Sequence, residues 1–319
     1  MDRDKKNWRG TREGFGEGLV ILGERNSKIV VLCADLAKST RAYPFKERFA
    51  DRFFEFGVAE QNMMGVAAGL SLTGYIPYVC TYGVFSSGRC WEQLRTSVCY
   101  NNCNVKIQGT HSGLMVGPDG ATHQATEDIA AIRAIPNLKI VVPADSVEAR
   151  KATIAAADIS GPIYLRFGRE PTPIVTNEDS PFILGKANII REGKDVAVIA
   201  CGVEVSEALL AAEEMEKEGI DICVVNLHTI KPIDEEKIIN IAKKTGAIVT
   251  AEEHQIFGGL GGAVAEVLSK NYPVPIEMVG IRDKFGESGQ PYELLEKFGL
   301  TSPGIIRAIR KVLERKEKE

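Results

Sequence analysis

At 319 residues the chain has room for about two domains, and a content of 44% hydrophobic and 26% charged residues is that of a soluble globular protein. The net charge of −4, from 39 basic and 43 acidic residues, argues against a general nucleic-acid binder. No run reaches the ~18 apolar residues of a membrane span, and the polar start MDRDKKNWRG leads into no apolar stretch of the kind a signal peptide carries. Seven cysteines, an odd number without a CxxC pair, sit mostly in apolar stretches and read as free thiols of a reducing cytoplasm. The four histidines are far apart, so no metal site is expected.

In chain order, residues 11–24 have the spacing of a helix, and KIVVLCAD reads as a buried strand ending at Asp35. A polar loop over 36–44 holds Lys38, Ser39, Thr40 and Arg41. FFEF, 53–56, reads as a second buried strand, stopped by Gly57. A helix with small residues at Gly65, Ala67, Ala68 and Gly69 then places Glu60 in its first turn and leaves it thin enough for close approach. IPYVCTY is a strand, 85–100 a helix, VKIQGT a strand, and HSGLMVGPDGAT, 111–122, a long loop. A helix over 127–134, the strand LKIVVP, a helix over 146–158 and the strand PIYLRF complete the first series. Continuous apolar strands alternating with helices imply a mostly parallel sheet with helices on both faces.

The proline-rich, acidic stretch 168–182 reads as a linker. It divides the chain into domains at 1–170 and 183–319, both α/β. The second repeats the rhythm with strands DVAVIACG, DICVVNL, AIVTAEE and VPIEMVG. Helices are expected over 205–218 and 235–244, after GGLGG, and over 292–298 and 303–314, with a frayed ERKEKE tail. GGLGG does not fit GxGxxG and precedes no Walker lysine, so a tight turn into a helix explains it better than a phosphate cradle.

Ligands of doubly wound sheets sit beyond the carboxyl ends of the strands. That rim gathers Asp35, Glu60, Tyr82, Phe85, His111, Asp119, His123 and Arg169. Each has a plain explanation alone: Glu60 complements a helix amino terminus, Phe85 is core, Asp119 before Gly120 is a turn pair, and Arg169 pairs with Glu170 in solvent. Their co-location favours a site.

FGVAEQNM, TYGVFSSGRCWEQLR, GTHSGLMVGPDGATHQ, RAIPN, PAD, YLRFGR, TIKPID and KFG together resemble the C-terminal half of transketolase, over nearly all of residues 10–310. Transketolase moves two-carbon ketol units between sugar phosphates with thiamine diphosphate. The resemblance implies that Glu60 hydrogen-bonds and protonates the aminopyrimidine ring, that Phe85 stacks on that ring, and that Tyr82 and Asp35 belong to the same cofactor wall. It assigns Arg12, Ser39, His111 and Arg169 to the substrate phosphate. Asp119 is assigned to sugar hydroxyls, and His123 to a hydroxyl contact or proton shuttle. Pro118 departs from the acidic residue usual before that Asp.

The family's GDG motif and later Asn, which hold the diphosphate and a divalent cation (Mg²⁺ or Ca²⁺), are absent from this sequence. The resemblance therefore implies a partner: an N-terminal transketolase subunit with the diphosphate-binding domain, in a heterotetramer of two copies each. Related alternatives are a deoxyxylulose-phosphate synthase, the β chain of a 2-oxo acid dehydrogenase, and a non-catalytic structural subunit. The THSG loop with His111, Ser39 and Arg169 favours sugar phosphates. His228 and His254 are expected to be structural or interfacial, and the second domain to support dimer contacts.

Overall fold

The computed structural model describes residues 7–318. Met1–Lys6 and Glu319 lie outside the described residues, and with them most of the polar start and the last tail position. In chain order the first series is β1 (Trp8–Gly10), α1 (Thr11–Arg25), β2 (Ile29–Cys33), α2 (Tyr43–Arg48), β3 (Phe53–Glu55), α3 (Glu60–Leu72) and β4 (Ile76–Tyr82). Then come α4 (Trp91–Gln93), β5 (Lys106–Thr110), α5 (Asp128–Arg133), β6 (Lys139–Val141), α6 (Ser146–Asp158), β7 (Ile163–Arg166) and β8 (Pro171–Pro173). The second series is β9 (Asn188–Arg191), β10 (Val196–Ala200), α7 (Glu204–Glu216), β11 (Ile222–Asn226), β12 (Thr229–Lys231), α8 (Glu235–Thr245) and β13 (Ile248–Gln255). It ends with α9 (Leu260–Asn271), β14 (Ile276–Ile281), α10 (Pro291–Lys297) and α11 (Ser302–Lys316).

Two mostly parallel sheets result, in the orders β12-β6-β7-β5-β4-β2-β3 and β14-β13-β10-β11-β9. The antiparallel members are the edge strands β12 and β9. Side chains alternate across each strand, so successive residues feed different cores. Ile29, Val31 and Cys33 pack against α1 and α6, while Val30 and Leu32 pack against α3 and α5. In the second sheet Val196 and Val198 face α7 and α11, whereas Ala197 and Ile199 join the same cluster as Val30 and Leu32. One apolar core therefore runs from sheet to sheet.

Several expectations need correction. β3 is an edge strand with Phe54 exposed, not a buried one. The helix expected over 85–100 is two π-helical turns, Phe85–Arg89 and Leu94–Cys99, around the short α4. Ser86 and Ser87 both hydrogen-bond back to the Gly83 carbonyl, at 3.2 and 2.8 Å, which disturbs a regular helical start. The stretch read as a linker contains β8, which pairs with β1, and Thr172 and Thr176 within it are buried. The tail is docked rather than frayed through Lys316. Arg315 reaches Ile276 O and Glu277, and Lys316 reaches Asp195 O and Thr245 O.

β12, from the second series, crosses to extend the first sheet beside β6. No local pattern announces a three-residue strand whose partner is in the other half. At GGLGG the amino end of α9 is occupied from inside: Leu260 N and Gly261 N donate to the buried Glu252 carboxylate at 2.7 and 2.8 Å. That capping removes the donors a phosphate would need.

α1 is held against α6 by close backbone approach. A Cβ on Gly14 would collide with the Ser146 carbonyl oxygen. Gly14→Val is expected to destabilise the chain by about 1–3 kcal/mol through overpacking, read as a lowered urea midpoint. An unchanged midpoint would show that α1 can shift freely, and α1 is the element that carries Arg12 to the rim.

Candidate active site

The Glu60 unit matches its sequence reading locally. β3 ends at Glu55, Gly57 takes φ 65, and α3 starts at Glu60. The Glu60 side chain is 2% exposed. Its Oε2 accepts a hydrogen bond from Arg89 Nη1 at 2.9 Å, and the Arg89 guanidinium lies 4.2 Å from the centroid of the Phe85 ring. Arg89 was not singled out from sequence. Its only signal was a charge inside the TYGVFSSGRCWEQLR block, and the π-helical turn that turns it toward Glu60 is invisible to helical spacing.

Beside this pair the rim side chains form an aromatic wall. Tyr82 stacks on His111 at 4.0 Å and lies parallel to Phe85 at 6.0 Å, while His123 meets both Tyr82 and Phe85 edge-on. His123 Nδ1 is 2.9 Å from Thr122 Oγ1. His111 is buried, with Nδ1 3.3 Å from Thr110 Oγ1. Burial, then the nearby Arg12 and Arg169, pushes its imidazole down to about 3. It is therefore a neutral donor or acceptor through the physiological range.

Next to His111 lie the cations. Arg169 Nη1 donates to Val116 O at 2.6 Å and to Asp119 Oδ1 at 3.3 Å, with Glu170 3.5 Å from its Nε. Arg12 Nη1 donates to the Ser39 carbonyl at 3.0 Å, so Ser39 contributes its main chain here. Burial and Arg41 lower the Arg12 pKa. The structure thus brings Tyr82, Phe85, His111 and His123 into ring contact beside the Glu60–Arg89 pair, with Arg12, which meets Ser39, and Arg169, which meets Asp119, near enough to His111 to act on it electrostatically. Asp35 stands apart: it is exposed, and its backbone N–H donates to Glu55 Oε1 at 2.6 Å. Asp35, Arg41 and His111 all adopt left-handed backbone at φ 59, 64 and 54. Strained non-glycine backbone of this kind collects at functional rims.

A buried network fixes the loop that carries His111, Asp119 and His123. Asp128 accepts from Arg166 Nε at 2.9 Å and from Tyr164 OH at 2.8 Å. Arg166 also donates to Ala125 O and, in the second series, to Glu253 O, both at 3.0 Å. Met115 N donates to Glu253 Oε1 at 2.7 Å, and His254 Nε2 accepts from Ala130 N at 3.3 Å. His254 is therefore an interior residue joining the two halves. His228 is also interior, against Phe182 at 4.6 Å. All seven cysteines are buried free thiols. Among the described residues no group of three or more His, Cys, Asp or Glu side chains has the arrangement to hold a metal ion, and no helix is long and apolar enough to cross a membrane.

Residues 9–174 match the transketolase pyrimidine-binding domain, and residues 185–305 the transketolase C-terminal domain. The chain is 44% identical, over 97% of its length and 98% of the relative's, to a putative transketolase C-terminal section of Methanocaldococcus jannaschii. It is 43% identical, over 96% of its length and 95% of the relative's, to the 6-deoxy-6-sulfo-D-fructose transketolase subunit SqwH of a Clostridium species. Among solved structures it resembles a split-gene transketolase described as an inactive β4 tetramer, with TM-score 0.88 and 48% identity, covering 96% of this chain and 98% of that one. With both family domains matched in order and relatives covered from end to end, the chain belongs to the transketolase family.

Proposed function

We propose that this chain is the C-terminal subunit of a split transketolase that transfers a two-carbon ketol unit between sugar phosphates, with residues 1–170 as the pyrimidine-binding domain and 183–319 as the C-terminal domain. The observation that carries the reading is Glu60. It is a buried acid at the first position of α3, met by one planar N–H donor, Arg89, whose guanidinium lies over the Phe85 ring. A planar aminopyrimidine fits the same two contacts, a ring face and a carboxyl, so the residues present suit that half of thiamine diphosphate. When bound, this cofactor supplies an acidic carbon and an electron sink for cleaving a ketose.

The chain's own residues then have separate tasks. Glu60 holds a proton at the pyrimidine ring nitrogen, and Phe85, with Tyr82 behind it, fixes the ring plane. Neutral His111 donates to the substrate without adding charge. Asp119 and His123 take sugar hydroxyls, with His123 placed to move a proton. Arg12 and Arg169, with Ser39, take the terminal phosphate by charge-assisted hydrogen bonds. Asp35, exposed and apart from this set, is given no task.

A partner chain supplies the diphosphate-binding half and its divalent cation, Mg²⁺ or Ca²⁺. Support comes from the exposed surface that runs along α3 from Val58, just before its start, to Leu72, its last residue. Val58 and Leu72 are 73% and 72% exposed, and a Cβ on Gly65 or Gly69 would touch nothing within 4 Å. A bare, thin apolar face of this kind suits burial against another subunit. The similar split-gene transketolase is described as inactive as a β4 tetramer, in agreement with a need for a second chain. An assembly of two copies of each chain in a reducing cytoplasm completes the proposal.

The test is reconstitution. The purified chain with thiamine diphosphate and Mg²⁺ is expected to show no turnover of xylulose 5-phosphate and ribose 5-phosphate until a partner bearing GDG and Asn is added. Turnover by the chain alone overturns the split-subunit reading, and turnover of pyruvate in place of the ketose overturns the substrate assignment.

Arg89 gives an independent check. Its guanidinium lies over the ring face the pyrimidine needs, held by an ion pair between the 43% exposed Arg89 and the buried Glu60 that, discounted for solvent at Arg89, is worth about 0.2–1 kcal/mol. Arg89→Ala is expected to tighten thiamine binding to the chain by about 1.4–5-fold, the conversion of that energy, measured by titration calorimetry. Weaker binding in the variant would mean that Arg89 helps hold the ring instead of yielding to it.

A further inference from the structure

We propose that Arg41 tunes the terminal-anion subsite toward a doubly charged group, exchanging its Glu13 partner for the anion when substrate binds. This rests on the reading of Arg12, His111 and Arg169 as that subsite.

The main chain of Arg41 is fixed. It sits at φ 64, and its carbonyl oxygen lies 2.5 Å from where a Cβ on Gly16 would stand, so α1 admits the loop only because that position is glycine. Its side chain is less committed. Arg41 Nη2 meets Glu13 Oε1 at 3.0 Å, with side chains 43% and 26% exposed. Arg41 Nε, Arg12 Nε and Glu13 Oε2 are each buried without a hydrogen-bond partner. The two unpartnered guanidinium N–H groups mark a place where an acceptor such as an anion completes the bonding, while the Glu13 oxygen, itself an acceptor, gains nothing from one.

The three guanidiniums differ in how they are held. Arg12 is fastened to Ser39 O, and Arg169 to Val116 O and Asp119. Arg41 is held by an ion pair to the part-buried Glu13 carboxylate, with its own guanidinium 43% exposed and screened by solvent. An open cavity of about 620 Å³, lined by Arg9, Glu13, Glu17, Arg41 and Arg150 and by none of the other subsite residues, leaves space beside its side chain. Its field already reaches both neighbours: Arg41 follows burial in lowering Arg12 and is among the cations that lower His111. Glu13, Asp119 and Glu170 balance the three arginines in the empty arrangement. With His111 neutral, an incoming anion is held by how many guanidiniums turn toward it.

Coulomb attraction scales with ligand charge, so losing one guanidinium costs a dianion about twice the free energy it costs a monoanion. In affinities the monoanion's fold-loss is squared. The experiment measures binding of inorganic phosphate and of methanesulfonate to the full-length chain at pH 8, where phosphate is roughly a dianion. Arg41→Gln is expected to weaken phosphate about 10-fold and methanesulfonate about 3-fold, with Arg41→Lys recovering part of the phosphate loss. In the reconstituted complex the same variant raises KM for the phosphorylated ketose and leaves kcat within about 2-fold, as loss of uniform binding requires. Glu13→Gln, which frees Arg41, is expected to tighten phosphate.

Equal losses for the two anions, or no loss, overturn the role of Arg41 if Arg12→Gln and Arg169→Gln still weaken phosphate. If those two variants also bind phosphate normally, the subsite reading itself falls and takes the inference with it.

Discussion

Glu60→Ala, in the chain reassembled with its diphosphate-binding partner, is expected to lower kcat by about 10²–10⁴, the range for loss of a positioned acid–base group. Circular dichroism and urea unfolding of the chain alone should change little, because the side chain lies at the start of α3 and makes its one ion pair with the half-exposed Arg89. Glu60→Gln should lose nearly as much, since an amide keeps a hydrogen bond to the ring but cannot exchange a proton with it. In the structure the Glu60 carboxylate is occupied by its hydrogen bond from Arg89. The proposed role therefore needs Arg89 displaced and the ring seated, and the loss should appear in kcat more than in the KM of either sugar. Activity within 10-fold of the parent complex, in either variant, would reduce this chain to a structural partner.

The elements that could be read from sequence were those whose signal is local. α1, α3, α6, α8 and the central strands follow from apolar period and glycine punctuation, and Glu60 from its place after Gly57. The rim residues Tyr82, Phe85, His111 and Asp119 follow because each ends or succeeds a strand of a parallel sheet. What stayed hidden depends on partners distant in sequence. β12 takes its register from β6, and β8 from β1. Arg89 reaches Glu60 only because a π-helical turn alters the angle between side chains along the 85–99 segment. Asp128 and Arg166 carry no local signal beyond a charge on a helix start and a charge on a strand end, yet both are interior, since their pairing replaces the water they lose.

That pair supports the second large prediction. Asp128 and Arg166 are 0% and 6% exposed, and their contacts join β7, α5, the His111–His123 loop and β13. Burial alone would raise the Asp128 carboxyl, but Arg166, His254 and the Tyr164 hydroxyl more than offset it and hold it below its usual value. A depressed carboxylate contributes stability above its unfolded value near 3.8, and the contribution is lost as pH falls below that toward the folded one. At neutral pH Asp128→Ala leaves a buried guanidinium uncompensated and is expected to cost about 3–5 kcal/mol, seen as a lower urea midpoint. The double variant Asp128→Leu/Arg166→Met, which removes both charges together, should lose far less than the sum of the single changes. Because Arg166 also holds Ala125 O and Glu253 O, the single variant should loosen the loop that presents His111, and phosphate affinity should fall alongside stability. A cost below 1 kcal/mol for Asp128→Ala would show that water or another acid reaches Arg166, and that the seam between the two halves is not what keeps the anion subsite in place.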